Sequence, residues 1–143
     1  MGKSQLKLLE QEGRYISVPS GTSMQPMIYG KRDAVVIEKL NYKPKKYDLV
    51  LYIRGKEQGV VHRIIQIKNN RYIICGDNCW QLEYVELEQI KGLVTEYCRK
   101  GKWYKTDNLL YKIYVHLWVD LFFIRRLCLY IRDKFKRKLK YEK

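Results

Sequence analysis

The chain has 143 residues, enough for one domain with an appendage and for a core that needs neither disulfide nor metal to hold it. It is 46% hydrophobic and 13% aromatic, which excludes a disordered chain. A net charge of +14 points to an anionic partner such as nucleic acid, anionic lipid or an acidic peptide, but nine basic residues against two acidic ones fall between Arg125 and Lys143, so much of the basicity belongs to the tail.

Residues 1–14 read as a polar N-terminal helix or arm, without the apolar run of a secretory signal or a spanning helix. From residue 15 the pattern changes to period two. Strands are predicted at Tyr15–Val18, Ala34–Glu38, Asp48–Ile53, Gly59–Lys68 and Arg71–Cys75, then at Ile90–Arg99 and Trp103–Lys105. Turn signals separate them: Pro19-Ser20-Gly21, Lys43-Pro44-Lys45, Arg54-Gly55-Lys56 and Lys100-Gly101, with Asn69-Asn70 as a hairpin turn. Residues 15–106 are therefore expected to form a compact, mainly antiparallel β-domain. Asp107-Asn108 caps a different region, 107–143. It has no Gly or Pro from Leu109 to Lys140 and is predicted as one long amphipathic helix, or two with a bend. Lys112, His116 and Asp120 share one face of it.

Four cysteines, none at C-x-x-C spacing, and two histidines make a structural zinc site unlikely in this pattern; no metal is expected, and the cysteines read as free thiols of a reducing compartment.

Three short stretches carry chemistry. In Ser20-Gly21-Thr22-Ser23-Met24-Gln25-Pro26, Gly21 lets the backbone turn and Pro26 fixes its exit, while Met24 anchors the loop in the core. A hydroxyl held this way at Ser23 can attack a carbonyl with backbone N–H groups beside it. The bland reading, a tight loop with an exposed serine, has equal weight on this stretch alone. His62 alternates with apolar neighbours in Val60-Val61-His62-Arg63-Ile64, and an imidazole can take a proton near neutral pH without adjustment. Cys75-Gly76-Asp77-Asn78 is a turn whose carboxylate could orient His62; Glu83, six residues on, could do the same.

Taken in order, Gly21-Thr22-Ser23-Met24-Gln25-Pro26, Tyr47–Tyr52, Val61–Ile65, Gly76-Asp77-Asn78 and Leu87–Gly92 resemble the successive boxes of type I signal peptidases, a superfamily of serine peptidases that includes self-cleaving repressors. The resemblance spans roughly residues 15–100. His62 followed by Arg63 looks like the branch with a histidine base found in endoplasmic-reticulum, archaeal and spore-former enzymes. It implies Ser23 as nucleophile, His62 as base, Asp77 as the favoured acid with Glu83 as alternative, and no cofactor. It also implies a peptide bound as an added β-strand, for which Val18–Gly21 and Asp48–Ile53 are the candidate walls.

The family's N-terminal membrane anchor has no counterpart in these residues. Leu109–Ile131 is long enough to span, but Lys112, His116, Asp120, Arg125 and Arg126 are costly in a bilayer. A helix on an anionic membrane surface through Leu109–Lys143, or one packed on the domain, fits better. The expected location is cytoplasmic or peripheral at a membrane, ahead of integral, and the implied substrate is a leader or signal segment, such as the leader of a ribosomally made peptide. No specific nucleic-acid contact is expected, since no helix-turn-helix fits before the β-domain. A non-catalytic peptide- or nucleic-acid-binding module retaining the fold is the competing reading.

Overall fold

The computed structural model describes residues 3–55 and 58–141. Lys56 of the expected turn, and Glu142 and Lys143 of the basic tail, lie outside them. Helix α1 (Lys3–Glu12) leads into eight strands: β1 (Arg14–Ser17), β2 (Ala34–Lys39), β3 (Leu49–Arg54), β4 (Gln58–Lys68), β5 (Arg71–Cys75), β6 (Glu83–Val85), β7 (Ile90–Arg99) and β8 (Lys102–Lys105). Helices α2 (Leu109–Asp120) and α3 (Phe122–Tyr141) follow. The fold is mainly antiparallel β with a C-terminal helical appendage, as the sequence leads one to expect. Strand β6 is an addition to that expectation.

The strands form one antiparallel sheet in the order β1-β2-β7-β3-β4-β5-β6, with β8 paired to β7. Asn69 and Asn70 both take positive φ, the geometry that a two-residue hairpin turn requires and that Asn tolerates. The first four residues of β3 are all buried, because the strand is flanked by β4 and β7 and covered on both faces. Alternation then sorts its side chains. Leu49 and Leu51 enter a core with Met24, Met27, Ile28 and the inner residues of α2, whereas Val50 and Tyr52 enter a second core with Ile64, Ile74 and Val85.

Asn108 begins α2, its side chain accepting from the Tyr111 N–H at 2.8 Å. The helical region is two helices with a break at Leu121, where no Gly or Pro announces one. Tyr111, Val115 and Val119 are its buried stripe and join the first core. Lys112, His116 and Asp120 do share an exposed face; Asp120 accepts from Lys46 Nζ at 3.0 Å and Tyr47 Oη at 2.9 Å.

A buried ion pair joins the helices to the sheet. Arg63, on the first-core face of β4, donates from Nε to Asp77 Oδ1 at 2.9 Å and from Nη2 to Asp77 Oδ2 at 2.8 Å, and both side chains are fully buried. Arg63 Nη1 donates to Tyr111 Oη at 2.9 Å, and Tyr114 Oη donates to Asp77 Oδ2 at 3.0 Å. The Trp118 indole donates to the Asp77 carbonyl at 2.8 Å. Arg125 is also buried, 3.8 Å from Asp77 Oδ1 and stacked over Phe122 and Trp118, with no hydrogen-bond partner for its guanidinium among the described residues. Burial opposes the charge of Arg63, but Asp77, held in bidentate geometry, and Tyr111 together outweigh it and its pKa is raised.

Removing one member of such a pair strands a buried charge, so Asp77→Ala is expected to lower the unfolding free energy by about 3–5 kcal/mol in urea denaturation. Arg71→Ala, which breaks the exposed pair with Glu86, is expected to change it by less than about 1 kcal/mol.

Candidate active site

Ser23 opens a turn, Ser23–Met27, whose two methionines are buried and pin it to the first core. Thr22 closes the turn by accepting from the Gln25 N–H at 3.2 Å, and Pro26 sits at its exposed crest. Gly21 lies at the rim of the adjoining cleft. The turn is tied from outside by Asn78, whose N–H donates to the Ser23 carbonyl at 2.7 Å and whose side-chain amide donates to the Thr22 carbonyl at 3.1 Å. Asn78 in turn accepts from Arg132 of α3 at 2.6 Å, so the helical appendage braces the Ser23 turn. Gly30 allows the loop to close, since a Cβ there would overlap the Gly21 carbonyl oxygen. Among the described residues no hydrogen bond takes the Ser23 N–H.

His62 follows from the register of three strands. It sits opposite Val50, on the face of β4 that also carries Val60 and Ile64. Ile64 pairs with Ile74, and Ile74 pairs with Glu83 of β6, so Glu83 arrives on the same face as His62. The His62 Nδ1 to Glu83 Oε1 distance is 3.2 Å, and Tyr52 Oη lies 3.3 Å from the same nitrogen. Arg54 holds the Glu83 carboxylate with both Nε, at 2.8 Å, and Nη2. Arg54 Nη2 also donates to Tyr52 Oη at 3.2 Å.

These partners set the protonation. Burial pushes the Glu83 carboxyl up, but hydrogen bonds from His62, Arg54 and Tyr52 outweigh it and bring it down to about 2. An ionised carboxylate only accepts, so the neutral imidazole carries its proton on Nδ1 and leaves Nε2 free as a base. Nε2 faces Gly76: a Cβ built there would lie 3.0 Å from Nε2 and 2.7 Å from the Ser23 carbonyl oxygen. Gly76 is thus the spacer that lets the His62 imidazole and the Ser23 backbone approach one another. Ser23 and His62 line the same cleft of about 790 Å³, together with Glu83, Cys79 and Val18. Their side chains are not hydrogen-bonded to each other.

Ser23, His62 and Glu83 are therefore brought together, and Asp77 is not the residue on His62. Asp77 was the favoured acid because its turn matches the family box, but its carboxylate oxygens are engaged by Arg63 and Tyr114. The reason is alternation: His62 and Arg63 are adjacent on one strand and project to opposite faces. The expected groove is corrected as well. Strand β3 is paired on both edges and cannot accept another strand. The open edge belongs to Gln58–Val61, since β4 meets β5 only from Arg63 onward. Val18 and Ser20 face it across the cleft. Arg54 and Tyr52 were not singled out, although their i, i+2 spacing on a strand was the available signal.

The burial of Cys79 raises its thiol above the ordinary value, so the second nucleophilic atom in the cleft is held protonated.

The chain matches no model of a known protein family, and no curated protein is significantly similar to it. The side-chain geometry must therefore carry the functional reading.

The Glu83 carboxyl is depressed from 4.5 to about 2 on folding, so its stabilising contribution is complete above pH 4.5 and is lost as pH falls towards 2. Acid titration of stability is expected to show this loss in the wild type and a shallower slope across that window in Glu83→Gln.

Proposed function

We propose that this chain is a serine endopeptidase of the type I signal peptidase superfamily, in its histidine-base branch. The observation that carries this reading is the His62 imidazole, held by Glu83 at Nδ1 and facing the Ser23 segment through Nε2 within one cleft. The ordered boxes of the sequence give it independent support.

In this mechanism Ser23 Oγ attacks the scissile carbonyl carbon and passes its proton to His62 Nε2. The imidazolium that forms is stabilised by Glu83, itself fixed by Arg54 and Tyr52. The carbonyl oxygen becomes an oxyanion facing the Ser23 N–H. Collapse breaks the peptide bond, and the amine leaves with the proton from Nε2. Water then adds to the acyl-enzyme by the same route and frees Ser23. Asp77 acts at a distance, by fixing with Arg63 the turn that contains Gly76 and Asn78.

The substrate is an extended peptide adding between the Gln58–Val61 edge and the segment around Val18–Ser20. A leader or signal segment is the substrate class suggested by the resemblance. A cytoplasmic location belongs to the same reading. Burial pushes the Cys75 thiol up to about 12, so it stays protonated and unreactive beside the Cys79 and Gln81 carbonyls. No helix is long and apolar enough to cross a membrane among the described residues.

The test is mass-spectrometric detection of cleavage in a panel of leader and signal peptides by the wild type, Ser23→Ala and Glu83→Gln. Wild-type cleavage abolished by Ser23→Ala and reduced roughly 100-fold or more by Glu83→Gln is expected. Binding of peptides without cleavage by any of the three would identify a peptide-binding module instead.

A further inference from the structure

We propose that the outward face of α2 and α3 docks on the surface of an anionic lipid bilayer. The inner face is already committed, through Tyr111, Val115 and Val119 in the core and through Trp118, Arg126 and Arg132, which donate to the loop at residues 77–80. The opposite face leaves a row of large apolar side chains exposed. Leu110, Ile113, Leu117, Leu121, Ile124, Leu127, Ile131 and Phe135 recur at intervals of three or four, so the row runs unbroken across the junction at Leu121. Leu110 is 79% exposed, and Phe123, beside the row, is 83% exposed. A single exposed leucine needs no explanation, but a continuous stripe over two helices does.

Charge decides what covers it. Lys134, Lys136, Arg137 and Lys138 are exposed along the C-terminal half of α3. The acidic side chains described on the two helices are Asp120 and Asp133, and both are engaged, by Lys46 and Tyr47 and by Arg132 respectively. The two helices thus offer an apolar row and, around the C-terminal half of α3, exposed cations, with no free anion among their described residues. A second copy packed face to face through the same stripe would set these cations against their own kind, since the described acids of the two helices, Asp120 and Asp133, are already paired. A nucleic acid would leave the apolar row uncovered. An anionic bilayer satisfies both, taking the stripe at the acyl boundary and the cations among the headgroups. Because the inner face is fastened to the sheet, the helices lie along the membrane plane. This inference stands apart from the peptidase reading, since it uses no residue of the cleft.

The test is flotation of the purified full-length chain with vesicles of phosphatidylcholine alone and of phosphatidylcholine mixed with phosphatidylglycerol. Two variants accompany it, Leu117→Ser/Ile124→Ser/Leu127→Ser and Lys134→Gln/Lys136→Gln/Arg137→Gln/Lys138→Gln, each checked for native circular dichroism. The expected result is wild-type flotation that strongly favours the mixed vesicles. The serine variant loses it, and the glutamine variant binds the mixed vesicles about 100-fold more weakly or worse. Failure of the wild type to float with mixed vesicles, or flotation undiminished in the serine variant, overturns the proposal. So does a lipid-free dimer in sedimentation analysis that the serine variant abolishes without any vesicle binding.

Discussion

The Arg63–Asp77 ion pair is the constraint on which the rest of this structure hangs. Two fully buried charges at 2.8 Å are tolerable only because each finds further partners, and those partners come from two separate parts of the chain. Tyr111 and Tyr114 bring α2 onto the sheet, Tyr47 closes the loop before β3, and Asp77 fixes the turn after β5. The helical appendage is thereby part of the domain's interior. It reaches the Ser23 turn directly, through Arg132 and Asn78.

With Arg63 assigned to that face, His62 must project to the other. There the electrostatics differ in kind. Glu83 is half-buried and ringed by Arg54, Tyr52 and His62, so it stays ionised down to low pH. Burial, with the Glu83 carboxylate adding to it, pushes the Tyr52 hydroxyl up and keeps it a neutral donor. The two carboxylates of the region thus have separate duties. One neutralises buried arginines and holds the architecture, and the other fixes a tautomer. Glu83 lines the cleft, whereas Asp77 is buried behind the turn that carries Gly76.

Much of this is legible in the sequence because period-two alternation is a local signal. Alternation marks seven of the strands and sets His62 on one of them, while turn chemistry marks the Asn69-Asn70 hairpin and the Ser23 loop motif marks Met24 as a buried anchor. What escaped depends on pairing between distant segments. Strand β6 is three residues long, too short for any periodicity to declare itself, and it alone determines that Glu83 reaches His62. A matching box therefore favoured Asp77 over the residue that makes the contact. Strand β3 reads as well suited to an edge as to an interior position, and only its pairing on both sides distinguishes them. The break at Leu121 has no Gly or Pro behind it, and the helices' fastening to Asp77 rests on tyrosine and tryptophan hydrogen bonds that no spacing rule encodes.

The central claim is that Glu83, not Asp77, sets the tautomer of His62. Nitrogen NMR of the His62 imidazole reads this directly, in the wild type and in Glu83→Gln, at a pH where the ring is neutral. The account predicts a proton on Nδ1 in the wild type and a loss of that preference in Glu83→Gln. A wild-type ring protonated on Nε2, or a tautomer unmoved by the substitution, would contradict it.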